Sequence, residues 1–324
     1  MEIGNLKQLG RIGILMGGSS TEREVSLKSG KAVLESLKKA GVDALGIDIT
    51  TDNHQETAEL IKLQNIDCAF LALHGRFGED GQIQSILDSL KIPYTGSGAN
   101  ASRLAMDKVA SRKLFKKQGL NVPKDLVLSK ITGYDKSAIL KEFGYPLVIK
   151  PATHGSSVGL TIVDKEEDLA RAIDLAFSFD ERVLVEEYVS GIESTVGILD
   201  GRVLPVVEIV PKNRFFDYEA KYKHGMTDYI VPARFHGDII LKLQESAYKA
   251  HTVLGCYGCS RVDIILSKDN LPFVLEVNTI PGMTETSLLP KAALVTGIDF
   301  TQLCIRLIEL AYEKAQVTSA EAIL

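Results

Sequence analysis

Cysteine is scarce in this chain: four among 324 residues, at Cys68, Cys256, Cys259 and Cys304. So few thiols exclude a disulfide-stapled framework, and the lone Cys256-x-x-Cys259 pair lacks the two further ligands that a zinc knuckle needs. Its apolar surroundings, HTVLGCYGCS, fit buried reduced thiols better than a redox pair. No apolar run approaches the roughly 18 residues of a membrane span, and the polar start MEIGNLKQLG lacks the apolar segment of a secretory leader. The expectation is a cytoplasmic chain with no membrane partner. Basic blocks are missing as well: 37 Lys and Arg face 42 Asp and Glu, a net charge of −5 with nothing to track a nucleic-acid backbone. What remains is 45% hydrophobic and 24% charged residues. That composition builds packed cores and disfavours disorder, and at roughly 150 residues per domain the length gives about two domains.

Strand and helix patterns alternate from the start. RIGILMGG from Arg11 reads as a buried strand entering a glycine turn; Thr21 and Glu24 form a capping box for a helix whose stripe is Val33, Leu34 and Leu37. DALGIDI, a polar helix over 56–63, CAFLALHG and a helix over 82–90 continue the alternation, which predicts parallel strands with crossover helices. A helix over 107–118 opens a small α+β module carrying YPLVIKP, the loop THGSSVG and strand VLVEEYV. Asp200-Gly201, between two β-rich runs, marks a hairpin. Residues 211–232 are polar and aperiodic, and a loop of that length reads as a functional lid. A closing amphipathic helix places Leu303, Leu307 and Leu310 on one face. The predicted division is an α/β unit over 1–106, a central α+β unit over 107–191 and a mixed-sheet unit over 192–324.

The richest segment for chemistry is SRVDIILSKDNLPFVLEVNTIPG, two β-rich runs around Lys268-Asp269-Asn270. A turn centred on Asp269 and Asn270 pairs Asp263 with Glu276 and Arg261 with Asn278, so all four side chains leave the same face. Two carboxylates and an amide oxygen there form a hard-oxygen set suited to Mg²⁺, whereas on a plain solvated face the opposed carboxylates would only repel. Arg261 beside them can meet developing negative charge. KPATHGSSVG offers successive backbone N–H groups after a strand, with Lys150 at its base, as a phosphate cradle. Neither a Walker A loop nor GxGxxG occurs. Lys108, opening a helix, is a second phosphate candidate only in combination with that loop; taken alone it reads as a solvated surface lysine. Glu22 in the first helical turn suits the helix dipole in any protein, and serves a ligand only if a cationic group binds at the same end. His74, Arg76 and Glu79 follow a parallel strand at its carboxyl end, where open α/β sheets take ligands.

GGSSTEREVSL from Gly17, LHGRFGEDG from Leu73, MDK at Met106, KPATHGSSVG, EEYVSGIE from Glu186, DYEAKY from Asp217 and the run from Arg261 through EVNTIPGMTETSLLPK span nearly the whole chain in a specific order. In these motifs the chain resembles the D-alanine–D-alanine ligase family of ATP-grasp enzymes, which serve peptidoglycan and hence cell-wall synthesis. The resemblance implies an ATP-grasp fold and a two-step reaction: ATP phosphorylates the carboxylate of one D-alanine, and the amine of a second displaces phosphate. It implies Mg²⁺ or Mn²⁺, two ions, on Asp263, Glu276 and Asn278, and Lys108, Lys150, Ser156, Ser157 and Lys221 on the nucleotide phosphates. Glu186, the Val189 backbone and Glu193 match adenine and ribose contacts. Glu22 matches the holder of the first D-alanine's ammonium, linked to Ser156 and Tyr222 across the closed site. Arg261 and the Gly282 N–H match oxyanion donors, while His74, Ser287 and Leu288 match the substrate subsites. Tyr222 favours D-alanine over D-lactate as second substrate, and a homodimer is the family's expected state. His154 and Phe77 depart from the family pattern, the latter standing where glycine is often found.

Overall fold

The computed structural model describes residues 9–212 and 225–321. Strand β1 (Ile12–Gly17) lies between β2 (Ala44–Ile49) and β3 (Cys68–Leu71), parallel to both. A parallel sheet needs cover on both faces, and the side-chain alternation of β1 supplies it. Ile12, Ile14 and Met16 pack with Val33 and Leu37 of α1 (Arg23–Lys39). Leu15 packs the other way, against Ile61 of α2 (His54–Leu63) and Ile83 and Leu87 of α3 (Gln82–Leu90). The expected Thr21–Glu24 capping box is not made. Helix α1 starts at Arg23 with Glu22 as its cap and no side-chain cap bond, because Ser20 Oγ takes the Glu22 N–H at 3.2 Å and donates to the His74 carbonyl at 2.7 Å.

Helices α4 (Ala99–Met106) and α5 (Lys108–Lys117) lead to a four-stranded antiparallel sheet in the order β4 (Asp125–Ser129), β7 (Arg182–Glu187), β5 (Leu147–Pro151), β6 (Thr161–Val163). Its apolar face is covered by Ile139 of α6 (Lys136–Phe143) and by Leu169, Ile173 and Ala176 of α7 (Glu166–Phe177). Phe115 of α5 turns away from this layer and joins the core of the next.

The third sheet runs β11 (Thr227–Ile230), β10 (Val207–Pro211), β8 (Gly191–Leu199), β12 (Cys259–Ser267), β13 (Pro272–Asn278), with β9 (Arg202–Val203) on β8. Its described pairings are all antiparallel, so the mixed sheet expected here is antiparallel in its described part. Asp200 and Gly201 join β8 to β9 with φ of +52° and +69°, the double left-handed turn that matches strand twist. Helix α8 (Gly237–Val253) covers one face through Leu243, Ala247 and Ala250. Beyond β13 come α9 (Leu288–Val295) and α10 (Phe300–Glu321); Leu303, Leu307 and Leu310 of α10 do share a face, and it packs into the core holding Ile12 and Phe70. Cys68, Cys259 and Cys304 are buried in that same core and Cys256 is half-buried; burial pushes the Cys256 and Cys259 thiols up to about 12. Among the described residues no helix is long and apolar enough to cross a membrane.

Candidate active site

The β12–β13 pair carries the oxygen-rich face. Arg261 lies opposite Asn278 and Asp263 opposite Glu276, the predicted partners. The turn between the strands is not the predicted two-residue one. Ser267 N–H donates to the Leu271 carbonyl at 2.9 Å, Leu266 faces Pro272, and Asn270 takes φ +59°, so the loop has three residues, Lys268 to Asn270. Continued without interruption, that register would put Asp263 opposite Leu275 and turn Glu276 to the other face. A bulge prevents this. Ile264 pairs with Val274 while Asp263 pairs with Glu276, leaving Leu275 without a partner on β12. Val274 and Val277, three apart, therefore both enter the core under α8, while Leu275 and Glu276 both line the cavity above.

That cavity, of about 440 Å³, lies between the second and third sheets and falls within the usual size of a ligand pocket. Asp263 is held from two sides: Arg261 donates through Nε and Nη2, both at 2.9 Å, and Thr195 Oγ1 from β8 at 2.6 Å. Glu276 Oε2 lies 3.2 Å from Lys108 Nζ, which also donates to the His154 carbonyl at 2.6 Å and so ties the glycine-rich loop to α5. Asn278 accepts the Ile280 N–H at 3.0 Å through Oδ1. Lys150 meets Glu186 at 2.9 Å on the cavity wall; burial, against the pull of Glu186, brings its ammonium down to about 8. Val189, Glu193 and Ser157 line the same cavity.

Glu22 is bound to the glycine-rich loop whose His154, Ser157 and Val158 line this cavity. It is buried, accepts a hydrogen bond from Ser156 Oγ, and sits between two glycines: a Cβ on Gly75 would meet Glu22 Oε2 at 2.7 Å and one on Gly155 at 3.4 Å. The close approach, with φ of +74°, explains why LHGRFG carries glycine at Gly75. Ser156 and Ser157 themselves adopt φ of +50° and +58°, a left-handed loop that costs L-residues energy and is common at ligand clamps. His74 is buried with Nε2 3.1 Å from Ser29 Oγ, and burial pushes its ring down to about 4. Ser287 caps α9 and Leu288 begins it, as expected; the Ser287 hydroxyl accepts the Thr284 N–H at 3.1 Å, and a Cβ on Gly282 would meet it at 3.3 Å. Lys221 and Tyr222 lie outside the described residues.

Of three further neighbours, the sequence pointed to Glu79 by its place after β3 and passed over Thr195 and Arg112. Glu79 accepts the Gly75 N–H at 2.6 Å, and burial followed by the nearby Glu22 holds its carboxyl well above the usual range. Thr195 looks like any strand threonine until its pairing with Asp263 is known. Arg112 stands four residues after Lys108, on the same helix face, and that spacing could have flagged it.

A divalent ion suits this donor set. Among the described residues no group of three or more His, Cys, Asp and Glu forms a self-sufficient metal cage. Two carboxylates and an amide beside a cationic cavity fit a hard ion whose shell is completed by phosphate oxygens and water.

Comparison with known proteins gives the geometry its context. The family model described as the D-ala D-ala ligase C-terminus matches residues 114–309, and that of the N-terminus matches 11–59 and 50–97. A D-alanine–D-alanine ligase of Pelotomaculum thermopropionicum is 47% identical over 319 residues, covering 95% of this chain and 98% of that one; the Halalkalibacterium halodurans enzyme is 44% identical, covering 94% and 100%. The crystal structure of the Bacillus anthracis D-alanine–D-alanine ligase complexed with ATP superposes with a TM-score of 0.84 at 33% identity, over 95% of this chain and 99% of that one. The VanG D-Ala:D-Ser ligase of Enterococcus faecalis gives 0.79 at 33% identity, over 93% and 99%. With its two halves matched in order, relatives near half-identical along almost its full length and the ATP-grasp architecture shared, this chain belongs to the D-alanine–D-alanine ligase family.

Proposed function

We propose that this chain joins two D-alanine molecules into D-alanyl-D-alanine at the expense of ATP, for peptidoglycan synthesis, through a D-alanyl phosphate. The observation that carries the reading is the cavity where Lys108, Lys150, Asp263 and Glu276 meet, with the Glu22–Ser156 bond close by. ATP fits the cations, with Glu186, Val189 and Glu193 for adenine and ribose and Ser157, Lys150, Lys108 and Lys221 for phosphates. Asp263, Glu276 and Asn278 would hold Mg²⁺ or Mn²⁺, two ions, which when bound neutralise phosphate charge during transfer. Glu22 holds the first D-alanine's ammonium; its carboxylate oxygen attacks the γ-phosphorus and ADP leaves. The second D-alanine is received near His74 with its carboxylate at Ser287 and the N–H of Leu288, where a helix start offers donors. Its amine attacks the acyl carbon, Arg261 and the Gly282 N–H stabilise the oxyanion, and phosphate departs. The loop expected over 211–232 is shortened by β11, whose Thr227–Ile230 pair with β10, and Tyr222 between these strands would close the site with Ser156 and Glu22, keeping water from the acyl phosphate.

The division at about 106 and 191, a homodimer and a cytoplasmic location belong to this reading on the strength of the family. Incubation with ATP, Mg²⁺ and D-alanine should release phosphate and yield the dipeptide. The likeness to a D-Ala:D-Ser ligase makes acceptor choice the decisive comparison: faster phosphate release with D-serine or D-lactate as the second substrate would overturn the assignment.

A further inference from the structure

Helix α5 presents two cations one turn apart toward the second sheet. Lys108 reaches the cavity rim; Arg112 points beneath its floor and is only 1% exposed. Its Nη1 lies 2.9 Å from Glu186 Oε1, the same oxygen that Lys150 Nζ meets at 2.9 Å from the neighbouring strand. That ion pair engages Nη1 alone: Nε and Nη2 have no hydrogen-bond partner among the described residues. A buried guanidinium so poorly satisfied costs stability, and an apolar side chain of similar volume would pack there at least as well. Packing therefore does not account for it.

Charge does. Glu186 would, on burial alone, rise above the usual carboxylate range; Arg112 first and Lys150 second reverse this and hold it below. With Arg112 absent, the whole charge of Glu186 would fall on Lys150, the nearest remaining cation in its ion pairs. We propose that Arg112 is a positioning residue for the nucleotide: by sharing Glu186 from beneath the cavity floor, it leaves the Lys150 ammonium divided between Glu186 and a bound phosphate rather than captured by Glu186. The inference rests on the reading of this cavity as the ATP site.

The test separates the two. Binding of the non-hydrolysable analogue AMP-PNP with Mg²⁺, measured by calorimetry, reads the floor directly, and KM and kcat for ATP with D-alanine read it in turnover. Arg112→Met should weaken AMP-PNP binding and raise KM for ATP by about tenfold or more with kcat within about twofold, and Arg112→Lys should recover most of the loss. In a Glu186→Gln background, Arg112→Met should add less than about threefold, because the partner through which it acts is gone. Near-parental affinity in a folded Arg112→Met protein, or the same loss in both backgrounds, overturns the proposal. Should Arg112→Met not fold, the Glu186→Gln/Arg112→Met pair decides: its folding supports a charge partnership, and its failure makes Arg112 a packing residue and ends the proposal. A parent that binds AMP-PNP but releases no phosphate with D-alanine would sink the functional reading alone.

Discussion

Phe77 holds φ +70° while its ring is 2% exposed. The left-handed backbone explains why glycine suits this place in the family pattern, and the ring explains why phenylalanine can stand there. Glycine would relieve about 1–2 kcal/mol of backbone strain, but emptying a buried phenyl costs about 3–5 kcal/mol. Phe77→Gly should therefore destabilise by roughly 1–4 kcal/mol in denaturant unfolding, and a stabilised variant would mean that the ring packs poorly. Arg261 grips Asp263 through two hydrogen bonds and is the oxyanion donor of the proposed reaction. Arg261→Ala should lose about 3 kcal/mol or more of transition-state stabilisation, read as kcat/KM; near-normal turnover contradicts its role as oxyanion donor. At this scale the sequence was most legible where residue type carries chemistry by itself. Asp263, Glu276 and Lys150 stood out; Arg112 and Thr195 did not, because only burial and a partner from a distant strand distinguish them from surface neighbours.

The strand pair teaches a sharper lesson at the scale of elements. Counting outward from a two-residue turn pairs Asp263 with Glu276, and the structure pairs them too, yet through a three-residue turn whose shift is cancelled by the bulge at Leu275. Neither irregularity is visible in composition, although the spacing of Val274 and Val277, three rather than two, is its trace. Deleting Leu275 should remove the bulge together with its extra residue, so strict alternation keeps Glu276 opposite Asp263 and Val277 in the core. Activity of the deletion variant should then stay within about tenfold of Leu275→Ala, read as phosphate release. A deletion variant that loses activity about a thousandfold while Leu275→Ala keeps it would show that the bulge itself, beyond the pairing, sets the site. Helix starts were less legible. Thr21 and Glu24 satisfy a capping pattern that Ser20 pre-empts by bonding across to the His74 carbonyl, a contact set by the fold and not by the local sequence.

Across the whole molecule, parallel and antiparallel layers were readable from hydrophobic period, but their sharing of cores was not. Two buried histidines in different layers give this scale its own prediction. His74 beside β3 and His251 in α8, the latter 2.7 Å from Ser260 Oγ, are each pushed by burial from the usual 6.5 down to about 4. Below pH 6.5 the unfolded chain takes up protons that the folded one refuses, so stability present above that pH is lost as pH falls toward 4, by up to roughly 3 kcal/mol for each histidine. Melting temperature should drop steeply between pH 6.5 and 4.5, and His251→Gln should flatten the drop; an unaltered slope would mean that His251 is solvated.

The first sheet takes part of its cover from α10: Ile12, Ile14 and Phe70 share a core with Leu303, Leu307 and Leu310. At a synthesis rate of roughly 5–20 residues per second, Leu303 leaves the ribosome about 10 to 50 s after Phe70. Through that interval the face of the nascent amino-terminal layer under α1 lacks part of its cover, and its maturation is gated by translation of a distant segment. Slowing translation between the two should lengthen the time during which chaperones engage the emerging chain.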